Sequence, residues 1–115
     1  MKPFFGTLRR ATLAAVAAMT FGAAGASAVE MGSMQIATDL GEVLGSENAC
    51  GLSYDQAAIR AFIDQHVQPD DISFPSDLSV MTSAARRELR EMTTSQKIAH
   101  CAQISRVARS YHFIR

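Results

Sequence analysis

Three histidines (His66, His100 and His112) and two cysteines (Cys50 and Cys101) are the residues of this chain best suited to chemistry. Imidazole nitrogen and thiolate sulfur are the usual donors of a tetrahedral zinc site. The spacing works against one. His100 and Cys101 are neighbours, which point about 100° apart on a helix. His112 returns to the helix face of Cys101, but lies roughly 15 Å further along the axis. No HxxxH or CxxC element occurs. His66 sits on an apolar stripe and reads as a hydrogen-bonded core histidine. Thiol redox catalysis needs a close pair with an activated member, whereas these cysteines are 51 residues apart. No serine stands in a GxSxG turn, and no glycine-rich phosphate loop occurs. Asp70 and Asp71 are adjacent loop acids, which make a weak calcium site at best. These residues predict no enzyme, no metal and no cofactor. A metal protein or an enzyme would need a buried polar cluster around His66, His100 or His112.

The other candidates are arginines. Arg86, Arg87 and Arg90 fall on one side of an expected third helix, and Arg106 and Arg109 on a fourth. Such a face can grip an anionic partner. Glu88 and Glu91 interrupt it, and Arg87–Glu91 has the i, i+4 spacing of a surface pair. A solvated face is the plainer reading.

The chain that positions these residues opens with Lys2, Arg9 and Arg10, then an apolar run over residues 11–24, then Ala26-Ser27-Ala28. That is the three-part pattern of a secretory signal peptide. The apolar run is shorter than the roughly 20 residues a spanning helix needs. Leu8 stands where a twin-arginine motif prefers Ser or Thr, so Sec export with cleavage after Ala28 is expected. Residues 1–28 are then the signal peptide and residues 29–115 a small domain, periplasmic or secreted, with no later membrane span. No nucleic acid is expected as a partner.

The whole chain has 11 basic and 11 acidic residues. The three bases of the leader depart without an acid, leaving 8 against 11. Residues 29–77 hold nine acids and one base; residues 78–115 hold seven bases and two acids. The simplest account is that the two halves pack together and neutralise each other.

A domain this small buries a modest core and benefits from a staple. Two cysteines in an oxidising compartment most simply pair, and closing a loop of about 50 residues is worth roughly 4 kcal/mol in the chain-entropy model. The apolar spacing predicts helices throughout. The first spans about 34–44, capped by Ser33 and stopped by Gly45, with Ile36, Leu40, Val43 and Leu44 on one side. The second opens with a Ser53/Gln56 capping box, buries Ile59, Phe62, Ile63, His66 and Val67, and ends before Pro69. In the loop over 69–76, Ile72 and Phe74 are expected to fold inward. The third runs over about 77–92, with Leu78, Met81, Ala85, Leu89 and Met92 inward and a restart at Thr82 allowed. The fourth opens with a Thr93/Gln96 capping box and buries Ile98, Cys101, Ile104 or Ser105, Ala108 and Tyr111. Phe113 and Ile114 form a packed tail.

Cys50-Gly51-Leu52-Ser53-Tyr54-Asp55, Asp70-Asp71-Ile72-Ser73-Phe74 and Ala99-His100-Cys101-Ala102-Gln103-Ile104 resemble segments of a group of small exported alphaproteobacterial proteins with paired cysteines. The likeness covers about three quarters of the mature chain, and it implies export and no particular mechanism. Some of the group carry the label "signal recognition particle". This chain has neither a GTPase P-loop nor a methionine-rich signal-binding domain, and export would keep it from ribosomes. A looser likeness, of architecture alone, is to the periplasmic acid-stress chaperones of enteric bacteria.

The expectation is therefore an all-α bundle of three to five helices stapled by Cys50–Cys101. Its expected role is non-enzymatic, binding a protein or an anionic envelope component. A periplasmic acid or stress chaperone is the alternative.

Overall fold

The computed structural model describes residues 25–115, with side chains from residue 32 onward; most of the expected leader lies outside the described residues. Four helices follow one another: α1 (Gly25–Gly45), α2 (Gln56–His66), α3 (Phe74–Glu91) and α4 (Thr94–Ser110). No strand occurs among the described residues, and Cys50 and Cys101 are joined, Cα to Cα 5.3 Å. The all-α expectation holds at this level.

α1 is longer than its apolar pattern indicates. It starts at Gly25, ahead of the expected cleavage point, so cleavage after Ala28 would remove its first turn. Ser33 is therefore inside the helix and caps nothing; its hydroxyl donates to the Asp71 carboxylate instead. Ala37, Leu40 and Val43 are buried at helical spacing, with Ile36 and Leu44 half-buried beside them.

The opposite requirement shapes the contact with α3. A Cβ on Gly41 would lie 2.7 Å from the Met81 Cβ and 3.0 Å from the Thr82 amide nitrogen. One on Gly45 would lie 2.8 Å from both the Ala85 Cβ and the Thr82 carbonyl oxygen. Two glycines one turn apart let the backbones of α1 and α3 approach more closely than any side chain permits. Gly45, the expected stop, is the last residue of α1 and also a packing residue. The left-handed glycine is Gly51, φ 65°. There the Leu52 amide donates to the Glu47 carbonyl at 2.9 Å and the Gly51 amide to Asn48 at 3.1 Å. This is the paired closure by which helical turns end on a residue free to take positive φ.

α2 is capped by Asp55, whose carboxylate accepts from the amides of Ala57 (2.9 Å) and Ala58 (3.3 Å). The expected Ser53 box does not form; the Gln56 amide donates to the Tyr54 carbonyl. A carboxylate at this position answers both the free amides and the positive helix end, which a hydroxyl two residues earlier cannot. No residue of α2 is fully buried: Ile59, Phe62, Ile63 and Val67 lie half-covered on the core. His66 is exposed rather than in the core, with its ring 4.4 Å from that of Phe62.

Of the two apolar loop residues, only Phe74 turns inward (3% exposed); Ile72 is 92% exposed. Asp71 fixes this, accepting from the amides of Ser73 and Phe74 and from the Ser73 hydroxyl. α3 thus starts at Phe74, with Pro75 in its first turn. It runs without a break through Thr82, whose hydroxyl donates back to the Leu78 carbonyl at 2.7 Å. α4 has the expected Thr93/Gln96 capping box. Ile104 and Ala108 are buried, but Ile98 is 67% exposed. At about 100° per residue Ile98 stands some 120° around the helix from Ile104, on its flank.

The chain closes on a second left-handed residue. His112 has φ 64°, the Phe113 amide donates to the Ala108 carbonyl at 2.9 Å, and that of His112 to Arg109 at 3.0 Å. This reversal drives Phe113 into the core (1% exposed), and its carbonyl accepts from the Asp55 amide at 2.9 Å. Tyr54 packs against it at 5.6 Å between rings and donates its hydroxyl to the Val43 carbonyl at 2.9 Å. Burial, reinforced by the Glu47 carboxylate, pushes the Tyr54 phenol up to about 12.

The glycine contacts yield opposite expectations for one substitution. Gly41→Ala gains up to about 1 kcal/mol in helix propensity but forces overlap against α3, which typically costs 1–3 kcal/mol, so urea unfolding should show a net loss. Gly32, with nothing within 4 Å of its would-be Cβ, should gain stability as Gly32→Ala.

Candidate functional site

The arginines expected to form one surface are divided by the fold. Arg86 and Arg90, one turn apart on α3, line a cleft of about 180 Å³ together with Lys97 from the first turn of α4. The turn after α1 supplies Gly45, Asn48 and Ala49, and Leu89 forms part of the wall. Arg87, Arg106 and Arg109 are exposed but do not line it; Arg106 contacts Gln103 at 3.4 Å. Lys97 is the residue the arginine pattern omits, because it approaches α3 only through the tight connection at Met92 and Thr93.

The halves of the chain do pack together through α1 and α3, yet their charges do not meet. Among the described residues no Lys or Arg lies within 4.0 Å of a carboxylate, and the expected Arg87–Glu91 pair does not form. The sole ion-pair geometry among the described residues is His100 Nδ1 to Glu42, at 4.0 Å. Among the described residues, then, the asymmetry is not met by pairing. No carboxylate lines the Arg86/Arg90/Lys97 cleft.

His100 belongs to a second cluster. The disulfide holds the turn after α1 against α4, and this brings Ser46 to 2.8 Å from His100 Nε2. Ser46, His100 and Glu42 superficially resemble a hydrolytic serine–histidine–acid set. The serine proton already has another acceptor. Ser46 is fully buried and donates its hydroxyl to the Glu42 carbonyl at 2.7 Å. With that proton engaged, its oxygen can accept from His100 Nε2 when the ring carries its proton there. The cluster is a polar pin between α1 and α4. Nothing local reveals it, since Ser46 and His100 are 54 residues apart. The clue is indirect: Ser46 is one turn before Cys50, and His100 adjoins Cys101.

His66 and His112 face a third region, a cleft of about 520 Å³ between α1, α2 and the C-terminal tail that also includes Asp39. Among the described residues no three of His, Cys, Asp or Glu gather closely enough to hold a metal ion. Asp71, expected as a solvated loop acid, is instead the tie between α1 and the start of α3. Hydrogen bonds from Ser33, then from Ser73, hold its carboxyl below the usual carboxylate range. No described helix is long and apolar enough to cross a membrane.

In comparison with known proteins, the chain matches no family model, no curated protein and no solved structure.

The proton assignment at His100 is directly measurable. Long-range ¹⁵N–¹H correlation should find neutral His100 protonated at Nε2, and Ser46→Ala should remove that bias at a cost of about 1 kcal/mol. Protonation at Nδ1 would reverse the donor at Ser46 and reopen the hydrolytic reading.

Proposed function

We propose that this is a small non-enzymatic exported protein, akin to the alphaproteobacterial group it resembles. In this reading it is released by cleavage after Ala28 into the periplasm or beyond and binds an anionic partner, an envelope component or the acidic patch of an envelope protein. The observation that carries the reading is that Arg86, Arg90 and Lys97 line one cleft with no carboxylate among its lining residues. Arginine forks favour carboxylate and phosphate oxygens, and a lysine adds a compact third donor. A cleft lined by one sign of charge favours a ligand of the other sign. The disulfide suits an oxidising compartment.

Sedimentation with isolated envelope fractions tests this. Binding at ~50 mM salt should fall about tenfold or more at ~500 mM, because exposed charges are screened over a few ångströms there. Arg86→Gln with Arg90→Gln should reduce it, while Arg106→Gln with Arg109→Gln should leave it nearly unchanged. Salt-independent binding, or equal losses in the two double variants, would overturn the reading.

A second reading, an acid-responsive chaperone, is favoured by Asp71 alone. Its hydrogen bonds stabilise the carboxylate, so its folded pKa is below the unfolded value. The stability it lends is present above the unfolded value, about 3.9, and is lost as pH falls through the folded one. Loss of the tie would release Phe74 from the core. Below about pH 4 this reading expects dye binding to newly exposed apolar surface, with the acid limb of the thermal-stability profile flattened in Asp71→Asn.

A further inference from the structure

The cleft between α1, α2 and the C-terminal tail has features that the anionic-partner reading leaves unused. Its volume, about 520 Å³, falls within the range of about 300–1,000 Å³ usual for small-molecule sites. One wall is aromatic. The rings of Phe62 and Tyr111 are 4.5 Å apart between centroids, and His66 stacks against Phe62 at 4.4 Å. The only carboxylate lining it is Asp39, and no Lys or Arg lines it.

Asp39 is exposed, and its one hydrogen bond comes from the Gln35 amide at 2.8 Å. That bond orients the carboxylate one turn along α1 without neutralising it. No cation pairs with it among the described residues. Its field reaches the aromatic wall: burial first, then the Asp39 charge, raises the Tyr111 phenol above its ordinary value. Aromatic faces carry negative potential that attracts cations. An anion would meet repulsion from Asp39 and from the ring faces, with the imidazoles of His66 and His112 and the Ser110 hydroxyl as its only side-chain donors besides Tyr111 and Gln65. A neutral apolar guest would desolvate the carboxylate without compensation.

We infer that this cleft binds a small organic cation, a protonated amine carried on an aromatic or apolar body. The ammonium group lies beside Asp39, and the body lies along Phe62 and Tyr111. The site is separate from the Arg86/Arg90/Lys97 cleft, and its charge preference is opposite.

The test is calorimetric titration of the disulfide-bonded protein with phenethylammonium, and with phenylacetate as the same ring bearing the opposite charge. Phenethylammonium should bind saturably, with NMR shift changes at Phe62 and Tyr111, and phenylacetate should not. Asp39→Asn should weaken phenethylammonium about tenfold or more with an unchanged melting temperature, since only the Gln35 contact is altered. Tyr111→Leu, which keeps the carboxylate and removes a ring face, should weaken it several-fold. Three results would overturn the inference: no saturable binding of phenethylammonium, equal affinity for phenylacetate, or undiminished affinity in Asp39→Asn. Envelope binding should be indifferent to Asp39→Asn, so the two proposals fail separately.

Discussion

The Cys50–Cys101 bond ties the turn that follows α1 to the middle of α4, and the position of α4 follows from that tie. Cys50 stands in a turn already fixed by the left-handed Gly51 and by the Glu47 carboxylate accepting from the Tyr54 amide. Cys101 stands on the helix face that leads to Ile104 and Ala108. With the two joined, Ser46 reaches His100, and Ile104 and Ala108 enter the same core as Leu40 and Phe113. The bond also sets the place of Lys97, one turn earlier on α4, beside Arg86 and Arg90. A loop of 51 residues held this way restricts the unfolded chain by an amount comparable to a small domain's net stability.

α3 is held by different means. It packs on α1 backbone to backbone, through Gly41 and Gly45, so close that dispersion contacts replace interlocking side chains. This spends little apolar surface and leaves both polar faces of the pair in water. It also suits an acid-rich half and a base-rich half that pack without pairing their charges, since the closest α1–α3 approach is made at Gly41 and Gly45. What results is an electrostatically divided molecule, with Asp39 and Glu42 on one side and the α3/α4 basic cleft elsewhere.

What the sequence conveyed was the part governed by short spacing. The Thr93/Gln96 box, the inward stripe of α3 and the burial of Phe113 are legible because donor, acceptor and apolar period lie within a turn or two of one another. The pairing of the cysteines was legible by count alone. The misread positions are those decided at a distance or by local competition. Ser33 is a plausible cap until Asp71, 38 residues away, claims its hydroxyl. Ser53 and Asp55 both suit an N-cap, and the carboxylate prevails. Ile72 and Phe74 look equivalent until Asp71 fixes which of them opens α3. The candidate clefts were hardly legible: two of the five named arginines joined a lysine outside the pattern, and Asp39 carried no signal at all.

The left-handed turn at His112 carries Phe113 into the centre of the domain, between Tyr54 and the start of α2, and α1 contributes Leu40 to the same centre from the far end of the described chain. A chain that emerges with its N-terminal end first, from a ribosome or through a translocation pore, therefore has no complete core to close while Phe113 is still withheld. The helices can form early, because their contacts are local, but closure of the core must wait for Phe113. Cysteine pairing is delayed in the same way, since Cys50 has no partner until Cys101, 51 residues later, has arrived.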